Sequence, residues 1–169
     1  MTMECQNHIF DRQAMADQCT RWREAGKTVV FTNGVFDLLH RGHVTYLEAA
    51  AQLGDVLVIG VNDDASVRRL GKGDDRPIVP EADRSFVVAG LRAAAGVILF
   101  GEDTPLELIR AIRPDVLVKG GDYDADCIDS GDPRYIVGSA EVKARGGRVV
   151  TIDLVPGRST TAIAVKLKG

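Results

Sequence analysis

Thr32-Asn33-Gly34-Val35-Phe36-Asp37-Leu38-Leu39-His40-Arg41-Gly42-His43 decides how this chain is built. Upstream lies the apolar, β-branched run Thr28-Val29-Val30-Phe31, and downstream an amphipathic stretch runs from Val44 to about Leu53. A strand therefore ends in a glycine-containing turn, and a helix opens on two histidines three residues apart. The first turn of a helix carries unpaired N–H groups and a partial positive charge, which makes it an anion site. Two imidazole donors there suit the oxygens of a phosphate, above all one that gains charge during reaction.

The same alternation continues along the chain. Residues 11–25 read as an N-terminal helix ended by Gly26, and 28–33 as the first core strand. Helix 42–53 stops at Gly54, and Asp55-Val56-Leu57-Val58-Ile59-Gly60-Val61 is the continuous apolar run of a strand buried on both faces. Asp63 or Asp64 caps a short helix through Leu70. A polar, glycine-rich loop spans 71–77, and Glu81 to Ala95 reads as one helix with Gly90 inside it. Val97 to Phe100 is a strand; Thr104 caps the next helix, with Pro105 at its first position. Val116 to Lys119 is a fourth strand, 124–137 an irregular excursion, Glu141 to Arg145 a short helix and Arg148 to Leu154 a fifth strand. A last helix starts near Ser159. Strands separated by helices give a parallel sheet with right-handed crossovers. The expected fold is α/β, a Rossmann-like doubly wound sheet of five parallel strands flanked by helices. Residues 1–169 read as a single domain, with 1–27 as an N-terminal helical extension.

Ligands of such folds bind at the carboxyl ends of the strands. The polar clusters lie at such ends: Asn33 to His43, Asn62 to Asp64, Gly120 to Tyr123 and Arg158 to Thr161. Gly34 lets a ligand approach the backbone closely. Asp37 either orients the turn, the favoured role, or helps hold Mg²⁺ through water. Gly157-Arg158-Ser159-Thr160-Thr161 is a second anion signature, with three hydroxyl residues at a helix start. Lys72 is either a mobile cation that closes over phosphate or a solvated surface lysine. Arg84, three residues after Glu81, also fits an ordinary surface pair. Gly120 and Asp122 form a nucleoside pocket or simply a turn.

Composition narrows the classes. A net charge of −3 argues against a broad nucleic-acid surface. Three cysteines, Cys5, Cys19 and Cys127, without CxxC spacing fit a reducing cytoplasm better than a disulfide framework or a metal cluster. The sequence contains no apolar run long enough to span a bilayer and no signal-peptide pattern at its start, so no membrane partner is expected.

GVFDLLHRGH (34–43) and RSTT (158–161) resemble the HxGH nucleotidyltransferases, which include cytidylyltransferases for glycerol phosphate and phosphocholine and adenylyltransferases of cofactor synthesis. The resemblance is closer to the bacterial D-glycero-β-D-manno-heptose 1-phosphate adenylyltransferases. It covers about Thr28 to Gly169 and includes VNDDASVRRL (61–70), RPIVP (76–80), EDTPLELI (102–109) and RPDVLVKGGDY (113–123). In many bacteria that activity is fused to a sugar kinase; these 169 residues contain no kinase portion and resemble the stand-alone version.

The resemblance implies transfer of AMP from ATP to a heptose 1-phosphate for lipopolysaccharide core precursors, with Mg²⁺ bound mainly through substrate phosphates and no protein-held metal. It implies that Asn33, Gly34, Val35 and Phe36 lie along the nucleotide. His40 and His43 stabilise the transition state, and Lys72 bridges the phosphates of both substrates. Arg84 supports the phosphate site; Gly120, Asp122 and Tyr123 flank the nucleoside; Arg158, Ser159, Thr160 and Thr161 hold the β- and γ-phosphates. It also implies a homodimer. The alternatives are a cytidylyltransferase acting on glycerol 3-phosphate, and a non-catalytic nucleotide-binding module. A tRNA-charging fragment is opposed by the acidic balance and by the lack of a KMSKS-like loop.

Overall fold

The computed structural model describes residues 4–71, 73 and 75–167. Six parallel strands form one sheet in the order β1-β4-β3-β2-β5-β6. They are β1 (Ile9–Phe10), β2 (Val29–Gly34), β3 (Val56–Asn62), β4 (Gly96–Phe100), β5 (Val116–Gly120) and β6 (Arg148–Ile152). The helices are α1 (Arg12–Glu24), α2 (Arg41–Ala51), α3 (Asp64–Arg69), α4 (Glu81–Ala89), α5 (Leu106–Ile112), α6 (Ser139–Ala144) and α7 (Thr160–Leu167). The doubly wound fold is as expected, but the sheet has six strands rather than five. The extra strand is the two-residue β1, which pairs Ile9 with Val97 and Phe10 with Ile98. The N-terminal extension is thus part strand as well as helix, and it lengthens the sheet at its β4 edge.

β3 is buried at every position, as its unbroken apolar run requires. Each face of the sheet has its own core. Phe31, Val58, Ile98 and Leu117 pack with Met15 of α1, Leu108 and Ile109 of α5 and Val142 of α6. On the other face Val30, Ile59 and Val118 pack with Leu47 of α2 and Val88 of α4.

Some element ends depart from expectation. The helix expected over 81–95 ends at Ala89, because Gly90 serves as its C-cap and the chain then turns toward β4, just before which the Ala95 amide donates to Leu57 O at 2.9 Å. Thr104 does not cap α5; Pro105 occupies that position and no side chain bonds the helix start. Asp63 caps α3, accepting the Ser66 amide at 2.6 Å. Among the described residues no helix is long and apolar enough to cross a membrane.

Strand order reverses between β2 and its neighbour β5, because β3 and β4 continue to one side and β5 and β6 to the other. That switch point opens a crevice at the carboxyl ends of the strands. The turn after β2 and the segment after β5 form its opposite walls.

Candidate active site

A cleft of about 640 Å³ occupies this crevice. Asn33, Gly34, Val35, Phe36, His40, His43, Gly120, Asp122, Tyr123, Arg158, Ser159, Thr160 and Thr161 all line it, so residues far apart in sequence meet there.

The turn from β2 to α2 is held in an unusual shape. Phe36 has a left-handed backbone, with φ of 51°, yet its side chain is buried. Non-glycine residues in that region carry local strain, which persists where the surroundings enforce it. The Phe36 ring meets His43 edge-on, with centroids 5.6 Å apart, and His43 stacks on His40 at 4.0 Å. Gly42 is needed beneath this stack. A Cβ there would come within 2.9 Å of the His40 ring and 3.2 Å of the Arg158 Cβ. His40 is the N-cap of α2 and makes no side-chain cap bond; its carbonyl accepts the amides of His43 at 2.9 Å and Val44 at 3.4 Å.

Another part of the cleft wall comes from the start of α7. Ser159 Oγ accepts the Ala162 amide at 3.1 Å, and Thr160 Oγ1 donates to Leu38 O at 3.4 Å, tying α7 to the histidine turn. Arg158 is close enough to oppose protonation of His40.

Both imidazoles are held in the neutral form. Burial, and then the Arg158 charge, lower the pKa of His40. Burial, and then His40, push His43 from 6.5 down to about 4. The Nδ1 atoms of both rings are buried and have no hydrogen-bond partner among the described residues. Buried polar atoms are nearly always paired, so this pair is one that a ligand rich in donors and acceptors would complete. A pH effect follows from the depressed value. The unfolded chain binds a proton at His43 near 6.5, whereas the folded chain refuses it until about 4. Stability from this source is therefore full above 6.5 and is lost as pH falls towards 4. Melting temperature of the ligand-free protein should drop between pH 7 and pH 5, and the His43→Asn variant should show a shallower slope over the same interval, before carboxylates titrate.

Asp37 takes the orienting role. Its Oδ1 accepts the amides of Ile78 and Val79, each at 2.9 Å, and its Oδ2 accepts Arg76 Nη1 at 2.7 Å. Burial alone would raise its pKa, but the two amides and the guanidinium outweigh it and hold the carboxyl below its usual value. Asp37 thereby clasps the segment before α4 to the histidine turn, and its oxygens are already engaged. Among the described residues no group of three or more His, Cys, Asp or Glu is arranged to hold a metal ion.

Lys72 lies outside the described residues. Arg84 is neither a surface residue nor paired with Glu81, and it does not line the cleft. Its side chain is 0% exposed and donates to Val79 O at 2.8 Å, Val35 O at 2.6 Å and Asp64 Oδ1 at 2.7 Å. Glu81 instead accepts the Asp64 amide at 2.7 Å. The first turn of α4 thus turns Arg84 inward, where it holds the carbonyl of Val35, a residue of the cleft wall.

Other lining residues carried no role in the sequence reading. Arg76 comes from the RPIVP segment, Tyr135 and Val137 come from the excursion, and Lys119 is the penultimate residue of β5. A lysine closing an otherwise apolar strand was the available signal for the last of these.

A profile of the family described as "Cytidylyltransferase-like" matches residues 31–165. A protein of Methylobacillus flagellatus named "Bifunctional protein HldE" is 57% identical over 159 residues, which covers 94% of this chain and 31% of that protein. A protein of the same name from Syntrophotalea carbinolica is 51% identical over 165 residues, covering 98% of this chain and 32% of that one. The chain thus spans about a third of the length of these curated relatives. Among solved structures, the lipopolysaccharide core biosynthesis protein of Thermoplasma volcanium is 28% identical and superposes with a TM-score of 0.59, covering 77% of this chain and 98% of that one.

Proposed function

The chain belongs to the cytidylyltransferase-like family, and from that premise we propose that it transfers AMP from ATP to D-glycero-β-D-manno-heptose 1-phosphate, forming ADP-heptose and pyrophosphate. The observation that carries the reading is the stacked pair of neutral imidazoles at the start of α2, facing Arg158 and the hydroxyl-rich start of α7. About 50% identity to proteins named for HldE across nearly the whole chain supports the choice of acceptor.

An oxygen of the sugar phosphate attacks the α-phosphorus of ATP in line. The new O–P bond forms as the bond to the β-phosphate oxygen breaks, and pyrophosphate leaves with the electron pair. The nucleophile is already an anion, so the protein needs no general base. Its work is positioning and charge stabilisation. His40, His43 and the α2 amides face the phosphoryl oxygens, while Arg158 and residues 159–161 hold the leaving group. The described residues fit a metal ion that arrives on the nucleotide, because Asp37 is spent on Arg76 and two amides. When bound, Mg²⁺ neutralises charge on the phosphate oxygens. The same reading places the enzyme in the cytoplasm, as a homodimer.

The test is pyrophosphate release with Mg²⁺, crossing ATP and CTP with the heptose phosphate and glycerol 3-phosphate. Turnover confined to ATP with the heptose phosphate is the expected result. Turnover with CTP and glycerol phosphate would replace the function while keeping the site. ATP binding without turnover on either acceptor would favour a nucleotide-binding module.

A further inference from the structure

The cleft has two sides, divided by the edge of the sheet. Side chains alternate along a strand. Phe31 and Leu117 point into the core shared with α1 and α5, and they are paired across β2 and β5. Asn33 and Lys119, two residues further on, therefore emerge on that same face. Thr32 points the opposite way and bonds Tyr46 of α2 at 2.8 Å. The histidines belong to the α2 side, and the Asn33–Lys119 pair belongs to the α5 side.

This pair is built, not incidental. Lys119 Nζ donates to Asn33 Oδ1 at 2.5 Å and stands 5.5 Å from the centre of the Tyr123 ring. Asn33 has room for this because its partner in β3 is Gly60, where a Cβ would lie 3.1 Å from the Asn33 Cβ. Thr104 and Pro105, at the start of α5, line the cleft on the same face.

We propose that Lys119, oriented by Asn33, receives the phosphate of the acceptor, forming a second anion subsite across the sheet edge from the triphosphate subsite. The assignment rests on the nucleotidyl-transfer reading above. That reaction must bring one phosphate against another, and the approach is repulsive unless each has its own cation. The ATP side is supplied by α2, Arg158 and the start of α7. Arg76 is engaged by Asp37. Asn33 takes one of the three N–H donors of the Lys119 ammonium, leaving others for phosphate oxygens. Burial lowers the Lys119 pKa to about 8, against the Asp122 charge that raises it. A cation so poorly solvated gains from an anionic partner.

Lys119→Met should raise KM for the heptose phosphate by about 10- to 100-fold, the loss of one charge-assisted hydrogen bond, with KM for ATP unchanged. Lys119→Arg should restore most of the acceptor affinity. In the wild type the acceptor KM should also climb as pH passes about 8, where the ammonium faced by Asn33, Asp122 and Tyr123 loses its proton; in Lys119→Arg this climb should vanish. A raised KM for ATP with an unchanged acceptor KM would overturn the assignment. Should the wild type fail to turn over the heptose phosphate, the functional reading falls, and the subsite is decided separately by calorimetry. Inorganic phosphate is titrated into enzyme saturated with Mg²⁺ and α,β-methylene-ATP. Clearly weaker phosphate binding in Lys119→Met sustains the subsite; equal affinity in the two proteins, or binding in neither, removes it.

Discussion

Replacing His43 by alanine should lower kcat by about 10²–10³-fold, the scale of removing one donor aimed at transition-state charge. His43 is held on two sides, by the Phe36 ring at 5.6 Å and by His40 at 4.0 Å. Its place is fixed before substrate arrives, so no ordering cost falls on the reacting complex. Burial keeps the ring neutral, with a pKa of about 4, so in the proposed reaction its part is that of a hydrogen-bond donor to the growing charge and not of a standing cation. A group that acts chiefly in the transition state lowers kcat and kcat/KM together. KM for ATP should therefore move little. The fold should tolerate the change, since the lost ring has a buried Nδ1 without a partner among the described residues. Steady-state kinetics with both substrates varied checks this, and a variant that turns over near the wild-type rate would defeat the assignment.

The second large effect concerns Arg84. Arg84→Met should destabilise the protein by about 3–5 kcal/mol, the usual result of removing one member of a buried ion pair. The methionine fills much of the space, but three acceptors are left behind: Val79 O, Val35 O and the Asp64 carboxylate. For a chain of this size that corresponds to a fall in melting temperature of roughly 6–20 °C. One of the abandoned acceptors is the carbonyl of Val35, a residue that lines the cleft. ATP affinity should consequently weaken in the surviving folded protein. Thermal and urea unfolding measure the first effect, and ATP titration at low temperature measures the second. An unchanged melting temperature would mean that the guanidinium network contributes nothing net.

The sheet was legible in the sequence where its strands are long and apolar on both faces. Val56 to Val61 is the clearest case, because only a central parallel strand requires such a run. Ile9 and Phe10 were not legible, since two residues at an edge carry no periodicity and their partner lies in β4, far along the chain. The early end of α4 was misread because Gly90 is also tolerated inside helices, and the turn that follows is fixed by the Ala95 contact to β3. The histidine turn and RSTT could be found because each is a local pattern at a helix start. Arg84 could not be placed, because its partners sit on α3 and on the loop after β2. Lys119 was passed over for a related reason. Which face of the sheet it joins depends on the pairing of β5 with β2, and its partner Asn33 is 86 residues away.

The proposed function requires that this cleft join an acceptor phosphate to the α-phosphorus of ATP. ATP labelled at its α-phosphorus, incubated with Mg²⁺ and D-glycero-β-D-manno-heptose 1-phosphate, tests it most directly. The label should move into ADP-heptose while unlabelled pyrophosphate is released in equal amount. Label remaining in ATP, or released as free AMP or ADP without the sugar, would contradict it.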